Sequence, residues 1–168
     1  MGKIQQKSGQ RCLERVSGGE AVIVVDTSVF LDELFRFDKK RHEKASVLFR
    51  LVEENGVLIA EPEIFKIELV GQLVRRMKRE EAVLLFESVV ERLEFIKTED
   101  LKGTAFSIAF KTGSRAIDAF FVAAAKIGST RLVSNDKIQV GSARKFGGVE
   151  AFYLLDEFDF EKVKADFS

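Results

Sequence analysis

Apolar residues follow two alternating patterns along the chain from Glu20 onward. Short segments rich in apolar residues, which are typical of strands, occur at 21–26, 57–60, 93–96, 131–134 and 149–153. Between them, apolar positions recur at helical spacing and predict helices at 28–36, 41–54, 80–92, 99–111, 115–127 and 137–145. A further helix is predicted from a first turn containing Pro62 to about Arg79, and a short amphipathic helix in the tail after 153. Strands that alternate with helices predict a parallel sheet with helices on both faces.

The chain has 168 residues, which is enough for one domain with a substantial core. Residues 1–19 are polar, carry Gly18 and Gly19 at their end and show no apolar periodicity. We therefore expect a flexible N-terminal arm at 1–19 and a single domain at 20–168. Hydrophobic residues make up 46% of the chain and charged residues 32%, a composition that favours a soluble globular protein over a disordered one.

The charge balance and the sparse Cys and His residues exclude several classes of protein. The 27 basic and 27 acidic residues cancel, so phosphate binding requires a local basic patch or a bound metal. A single Cys excludes an intramolecular disulfide, and one Cys with one His excludes a zinc cluster. With His42 as the only histidine, a two-histidine acid–base mechanism is excluded as well. No apolar stretch of membrane-spanning length and no signal-peptide pattern is present, so we expect a cytoplasmic protein without a membrane partner.

Four carboxylates lie within or just beyond apolar segments: Asp26, Glu68, Asp118 and Asp136. Ligands of open parallel sheets bind outside the carboxyl ends of the strands, so Asp26 and Asp136 are expected to face one crevice. Converging carboxylates repel one another unless a divalent cation or shared protons compensate, and oxygen ligands suit Mg²⁺ or Mn²⁺. Structural roles stay open for single acids: Asp26 as a helix N-cap, Glu68 on a solvated helix edge and Asp136 in a turn.

Four segments carry a resemblance to a known family: 25–32, 67–69, 117–125 and 132–136. In this order and spacing, they resemble the PIN-domain ribonucleases, which include the toxins of VapBC-type toxin–antitoxin pairs. The resemblance extends over about residues 21–153. It implies a three-layer α/β/α sandwich with a central parallel sheet of about five strands. It also implies a homodimer, an RNA substrate and, for a toxin, a small antitoxin protein as partner.

The resemblance assigns catalytic and metal-binding roles to Asp26, Glu68, Asp118 and Asp136, which would hold Mg²⁺ or Mn²⁺ for cleavage of RNA. The hydroxyl that accompanies these acids in the family maps to Ser134, with Thr27 or Ser28 near the first acid. Asn135 shapes the pocket or contacts substrate. Many relatives carry a further acid two residues after the last one, where this chain has Ile138, which puts binding of a second metal ion in doubt.

Other basic and aromatic residues have two interpretations each. Arg115 pairs with a carboxylate or reaches a substrate phosphate. The basic run at 75–79 complements a helix dipole or steers RNA toward the acids. Three phenylalanines either pack in the core or form a partner surface: Phe30, Phe35 and Phe37.

Two functions compete with a metal-dependent ribonuclease. A phosphatase of the haloacid-dehalogenase type would use Asp26 as its nucleophile, but it places a second Asp where this chain has Ser28. A non-catalytic PIN-like domain would bind RNA or protein without cleavage, and such a scaffold has no need of a costly carboxylate cluster.

Overall fold

The computed structural model describes residue 14 and residues 19–167, so most of the N-terminal arm predicted at 1–19 lies outside the described residues. Five strands and eight helices make up the described part of the chain. The strands are β1 (Val22–Val25), β2 (Leu58–Pro62), β3 (Glu94–Ile96), β4 (Arg131–Ser134) and β5 (Glu150–Tyr153). The first four helices are α1 (Thr27–Leu34), α2 (Lys39–Glu54), α3 (Ile64–Val74) and α4 (Arg79–Val90). The others are α5 (Thr98–Thr112), α6 (Ala116–Ile127), α7 (Lys137–Phe146) and α8 (Glu157–Asp166).

All five strands are parallel and lie in the order β3-β2-β1-β4-β5. The chain moves from β1 to β2 and β3 in one direction, then crosses to β4 and β5 in the other. Because such crossovers are right-handed, α1 to α4 cover one face of the sheet and α5 to α7 the other. Helix α8 contacts α2 and so joins the first layer. The predicted three-layer α/β/α sandwich is confirmed. The direction of winding reverses between β1 and β4. In open α/β sheets, the crevice that binds ligands lies at such a reversal, at the carboxyl ends of the strands.

An aromatic cluster joins the helices to the sheet in the core. The ring of Phe30 on α1 lies 4.9 Å from that of Phe49 and 4.9 Å from that of Phe65, between centroids. Phe65 is fully buried and also contacts Phe121 and Phe95. Core packing is therefore the role of Phe30. The β1 strand between the two layers is buried along its whole length, as its uninterrupted apolar run predicts.

Two predicted boundaries are wrong. The helix predicted to run to Arg79 ends at Val74, because the N–H groups of Arg76 and Met77 both donate to the carbonyl of Leu73 and close a tight turn. Pro62, predicted in the first turn of that helix, is instead the last residue of β2 and is paired with Ile96. A strand end tolerates proline because no further ladder N–H is required there. Across the residues that the structure describes, none of the helices is both long and apolar enough to cross a membrane.

Candidate active site

Asp26 follows β1 directly and caps α1 at the crevice. Its carboxylate accepts hydrogen bonds from the Ser28 N–H at 3.0 Å and from the Ser28 hydroxyl. Gln139 on α7 donates to the other oxygen through Nε2 at 3.1 Å. Asp26 is only 6% exposed, so it combines the capping role with that of a buried carboxyl group at the carboxyl edge of the sheet.

Glu68 reaches the same edge from α3. Its Oε2 accepts a hydrogen bond of 2.7 Å from the Thr27 hydroxyl, which joins α3 to the start of α1. Burial raises the pKa of Asp26 and that of Glu68, and the charge of Asp118 adds to both shifts. The two carboxylates are thus close enough to Asp118 to disfavour one another's ionisation, as expected for acids that share a crevice.

Arg115 bridges the remaining two predicted acids. It precedes α6 and donates to Asp118 through Nε at 2.8 Å, and to Asp136 through Nη2 at 2.7 Å. Asp118 is buried in the first turn of α6, whereas Asp136 caps α7 by accepting from the N–H groups of Ile138 and Gln139. The arginine side chain is 71% exposed, so solvent reaches the bridge. Arg115 therefore pairs with carboxylates in this structure.

Ser134 and Asn135 organise the loop after β4. The buried Ser134 hydroxyl accepts from the Asp136 N–H at 2.9 Å, and the Asn135 N–H donates to the Ser28 hydroxyl at 3.1 Å. The Asn135 amide also donates to Asp32 at 2.5 Å. This network connects the carboxyl ends of β1 and β4 and orients the residues around Asp26. The Thr27, Ser28, Ser134 and Asn135 hydrogen bonds thus serve the architecture of the crevice, and direct substrate contacts by these residues stay a prediction.

Three polar residues at the site were missed by the sequence reasoning: Glu61, Gln139 and Asp32. Glu61 is the penultimate residue of β2 and is fully buried. Its Oε1 accepts from the Val25 N–H at 2.8 Å, while its Oε2 has no partner among the described residues. Burial raises the pKa of Glu61 well above its ordinary value, and the charges of Asp26 and Glu68 raise it further. A signal was present, because Glu61 follows the apolar run at 57–60 in the same way that Asp26 follows β1. Gln139 and Asp32 have no such signal.

The oxygen donors at the crevice fit a hard divalent cation in kind. Besides the carboxylates, two buried amide oxygens lack a partner in the described part of the chain, Asn135 Oδ1 and Gln139 Oε1. Unsatisfied buried oxygens and mutually repelling carboxylates are both relieved by a cation. However, no three Asp, Glu, His or Cys side chains of the described residues stand close enough together to hold a metal ion as they are. The Arg115 guanidinium supplies the positive charge between Asp118 and Asp136.

These observations define an α/β/α protein with an acidic crevice at the switch point of its parallel sheet. The sequence model of the PIN domain matches residues 23–143, most of the chain and every acid named above. The chain belongs to the PIN domain family.

Solved structures share this fold at low sequence identity. VapBC2 from Rickettsia felis, bound to a DNA fragment from their promoter, aligns with a TM-score of 0.60 and 15% identity, over 77% of this chain and 96% of that chain. FitAcB from Neisseria gonorrhoeae aligns with a TM-score of 0.60 and 19% identity, over 79% and 97%. DNA-bound VapBC from Salmonella typhimurium aligns with a TM-score of 0.57 and 14% identity, over 78% and 96%. Comparison with curated proteins gives no match.

Proposed function

We propose that this chain is a metal-dependent endoribonuclease whose crevice acids bind Mg²⁺ or Mn²⁺. The observation that carries the proposal is the burial of Asp26 and Asp118 beside Glu68 at the switch point of the sheet. Burying like charges together costs stability, and a fold has no structural need for it. Membership of the PIN domain family and the resemblance to PIN-domain ribonucleases support RNA as the substrate class.

The proposed roles divide between metal ligation and orientation. Asp26, Glu68 and Asp118 would bind the cation, with Asp136 contributing once Arg115 releases it. When bound, the cation would supply Lewis-acid activation of water and neutralise charge on the phosphodiester. Ser28 and Gln139 hold the Asp26 carboxylate in a fixed orientation through their hydrogen bonds, and the Thr27 hydroxyl does the same for Glu68. The exposed Arg115 is then free to contact a substrate phosphate.

The direct test is cleavage of a panel of RNAs by the purified protein in Mn²⁺, Mg²⁺ or EDTA. Asp118→Asn should abolish cleavage, because it removes a buried carboxylate of the site. Asp38→Asn is the matched control, since Asp38 caps α2 on the surface through the Arg41 N–H at 2.9 Å and lies outside the crevice. Metal-independent cutting, or full activity of Asp118→Asn, would exclude this mechanism. A folded wild-type protein that neither cuts nor binds Mn²⁺ would be a non-catalytic PIN-like module.

A second proposed property is neutralisation by a small antitoxin protein, as in VapBC-type pairs. An apolar groove of about 350 Å³ between α1, α2 and α4 supports it. The groove is lined by several aromatic and aliphatic side chains, among them Leu34, Phe49, Ile59 and Leu85. Co-expression with a small protein encoded beside this gene should give a stable complex that no longer cleaves RNA.

Light scattering of the purified chain tests the proposed homodimer, and cell fractionation tests the proposed cytoplasmic location.

A further inference from the structure

Two phenylalanines form a stacked pair on the surface where α1 ends. The rings of Phe35 and Phe37 lie 5.4 Å apart between centroids, and their planes differ by only 8°. Phe35 packs partly against the core, whereas Phe37 is 79% exposed. One face of the Phe37 ring therefore contacts Phe35 and the other is open to solvent. We refer to this pair as the Phe35/Phe37 platform.

One cation lies over the platform, and others lie close to it along the chain. The guanidinium of Arg76 lies 5.8 Å from the centre of the Phe35 ring, a cation–π distance. Arg76 belongs to the turn between α3 and α4. Four more exposed cations lie in this turn, at the start of α4 or between the two phenylalanines: Arg75, Lys78, Arg79 and Arg36. Within residue 14 and residues 19–167, none of these four makes a side-chain ion pair or hydrogen bond.

Within the described residues, the nearby acids form no ion pair with these cations. Asp38 caps α2, and Glu80 and Glu81 lie in the first turn of α4, where they complement the helix dipole. The protein has no net charge, so a group of unpaired cations beside an open aromatic face is a local departure from its average surface. Cations and exposed aromatic faces together are the features with which proteins bind single-stranded nucleic acid.

The platform is linked to the crevice by a single helix. Helix α1 begins beside Asp26, and Phe35 is its C-cap residue. Nine residues at the helical rise of 1.5 Å each separate the two by about 13 Å. A single strand of RNA therefore needs to extend only about this far to contact the platform and the acids at the same time.

We propose that the Phe35/Phe37 platform stacks an unpaired base of single-stranded RNA, while the cations of the α3–α4 turn contact its phosphates. The proposal rests on the proposed ribonuclease function and specifies its substrate: RNA that is single-stranded a few nucleotides from the cleaved bond. The unpaired cations favour a polyanion over a protein as the occupant, because each would gain a phosphate partner. Aromatic and Arg residues alone are also enriched at protein interfaces, so a protein partner is the competing outcome of the test.

Binding of fluorescein-labelled oligoadenylate in EDTA, followed by fluorescence anisotropy, tests the platform without cleavage. Phe37→Ala should weaken binding of the single strand by about thirtyfold, the middle of the range for loss of one stacked base. Phe37→Trp should retain affinity within about twofold, because a larger aromatic face remains. Phe158→Ala is the matched control: Phe158 is 68% exposed, with Lys162 4.6 Å from its ring, and it lies on α8. This control should bind as the wild type does.

A blunt-ended RNA duplex, which has no unpaired loop, identifies the mode of contact. Its paired bases cannot stack on a side chain, so Phe37→Ala should leave its affinity unchanged. Unaltered binding of the single strand by Phe37→Ala, or an equal loss for strand and duplex, would overturn the proposal. If Phe37→Ala bound RNA as the wild type does but no longer bound a protein partner, the proposal would be overturned in favour of a protein-binding surface. If the wild type fails to cleave while Phe37→Ala still weakens binding, the nuclease proposal fails and the platform stands.

Discussion

Replacing Asp26 with Asn separates the two roles of this residue, helix capping and buried charge. Asn caps helices about as well as Asp, and its Oδ1 can accept from the Ser28 N–H and hydroxyl. Its amide nitrogen would face Gln139, which now donates to Asp26 through Nε2 at 3.1 Å. Because Gln139 Oε1 is buried without a partner among the described residues, rotation of that amide by half a turn provides an acceptor. We therefore expect Asp26→Asn to fold normally.

Without metal, this variant should be more stable than the wild type at neutral pH. Burial raises the pKa of Asp26 in the folded state above its ordinary 3.8, so the folded protein holds this proton more tightly than the unfolded chain. The free energy of unfolding of the wild type consequently declines as the pH rises from 3.8 through the folded-state pKa. Asn has no such proton. The advantage of the variant should be absent at low pH and grow as the pH rises.

The magnitude follows from the contacts. All hydrogen bonds at Asp26 are preserved or exchanged, so the difference is the cost of a poorly compensated buried charge, about 1 to 3 kcal/mol. At about 2 to 4 °C per kcal/mol for a chain of this size, the Tm should rise by about 2 to 12 °C. Mn²⁺ should make the wild type the more stable of the two proteins. At one hundred times its Kd, it should stabilise the wild type by about 2.7 kcal/mol and the variant hardly at all.

Differential scanning fluorimetry between pH 4 and 8, in EDTA and across a Mn²⁺ titration, measures both effects. Asp38→Asn serves as the control, because it removes an exposed capping carboxylate and should leave the Mn²⁺ response intact. A lower Tm of Asp26→Asn in EDTA at pH 7.5 would refute the argument from burial. An undiminished Tm increase with Mn²⁺ in the variant would refute the role of Asp26 as a ligand.

Other substitutions test the missed buried acid, the bridging arginine and the aromatic core. Glu61→Gln should stabilise the metal-free protein in urea unfolding at neutral pH, because burial raises the pKa of Glu61 and disfavours its ionised form. The gain in stability should grow as the pH rises above 4.5, and a loss of stability would contradict this reasoning. Arg115→Gln should tighten Mn²⁺ binding in isothermal titration, because it frees Asp118, and it should change the free energy of unfolding by less than about 1 kcal/mol. Weaker Mn²⁺ binding would show that Arg115 does not compete with the metal ion for Asp118. Phe65→Ala should lower the free energy of unfolding in urea by about 3 to 5 kcal/mol, whereas Phe110→Ala, at an 82% exposed position, should change it by less than about 0.5 kcal/mol. Comparable losses would mean that the Phe65 cluster is not central to the core.

The sequence by itself determined the class of fold and the identity of the family. Apolar runs and helical stripes of apolar residues indicate which positions are buried. The alternation of strands and helices then predicts a sheet with a layer of helices on each face. The five strands and eight helices in the described part of the chain match the predicted elements, with the α3 end and Pro62 as exceptions. Those two positions depend on a turn at Leu73 and on pairing with Ile96, neither of which periodicity encodes. The positions of Asp26 and Asp136 at strand ends also follow from sequence, because parallel strands end at one edge.

Only the tertiary structure decided how charges and rings meet. Gln139 reaches Asp26 across 113 residues of sequence, and Asn135 reaches Asp32 across 103. The stacking of Arg76 on Phe35 likewise joins elements that are distant along the chain. Such contacts depend on the packing of whole helices on the sheet, and a polar residue carries no local periodic signal for its partner. The sequence therefore determined which edge of the sheet is acidic. Packing determined which of those acids have hydrogen-bond partners, which have oxygens without a partner among the described residues, and which face solvent.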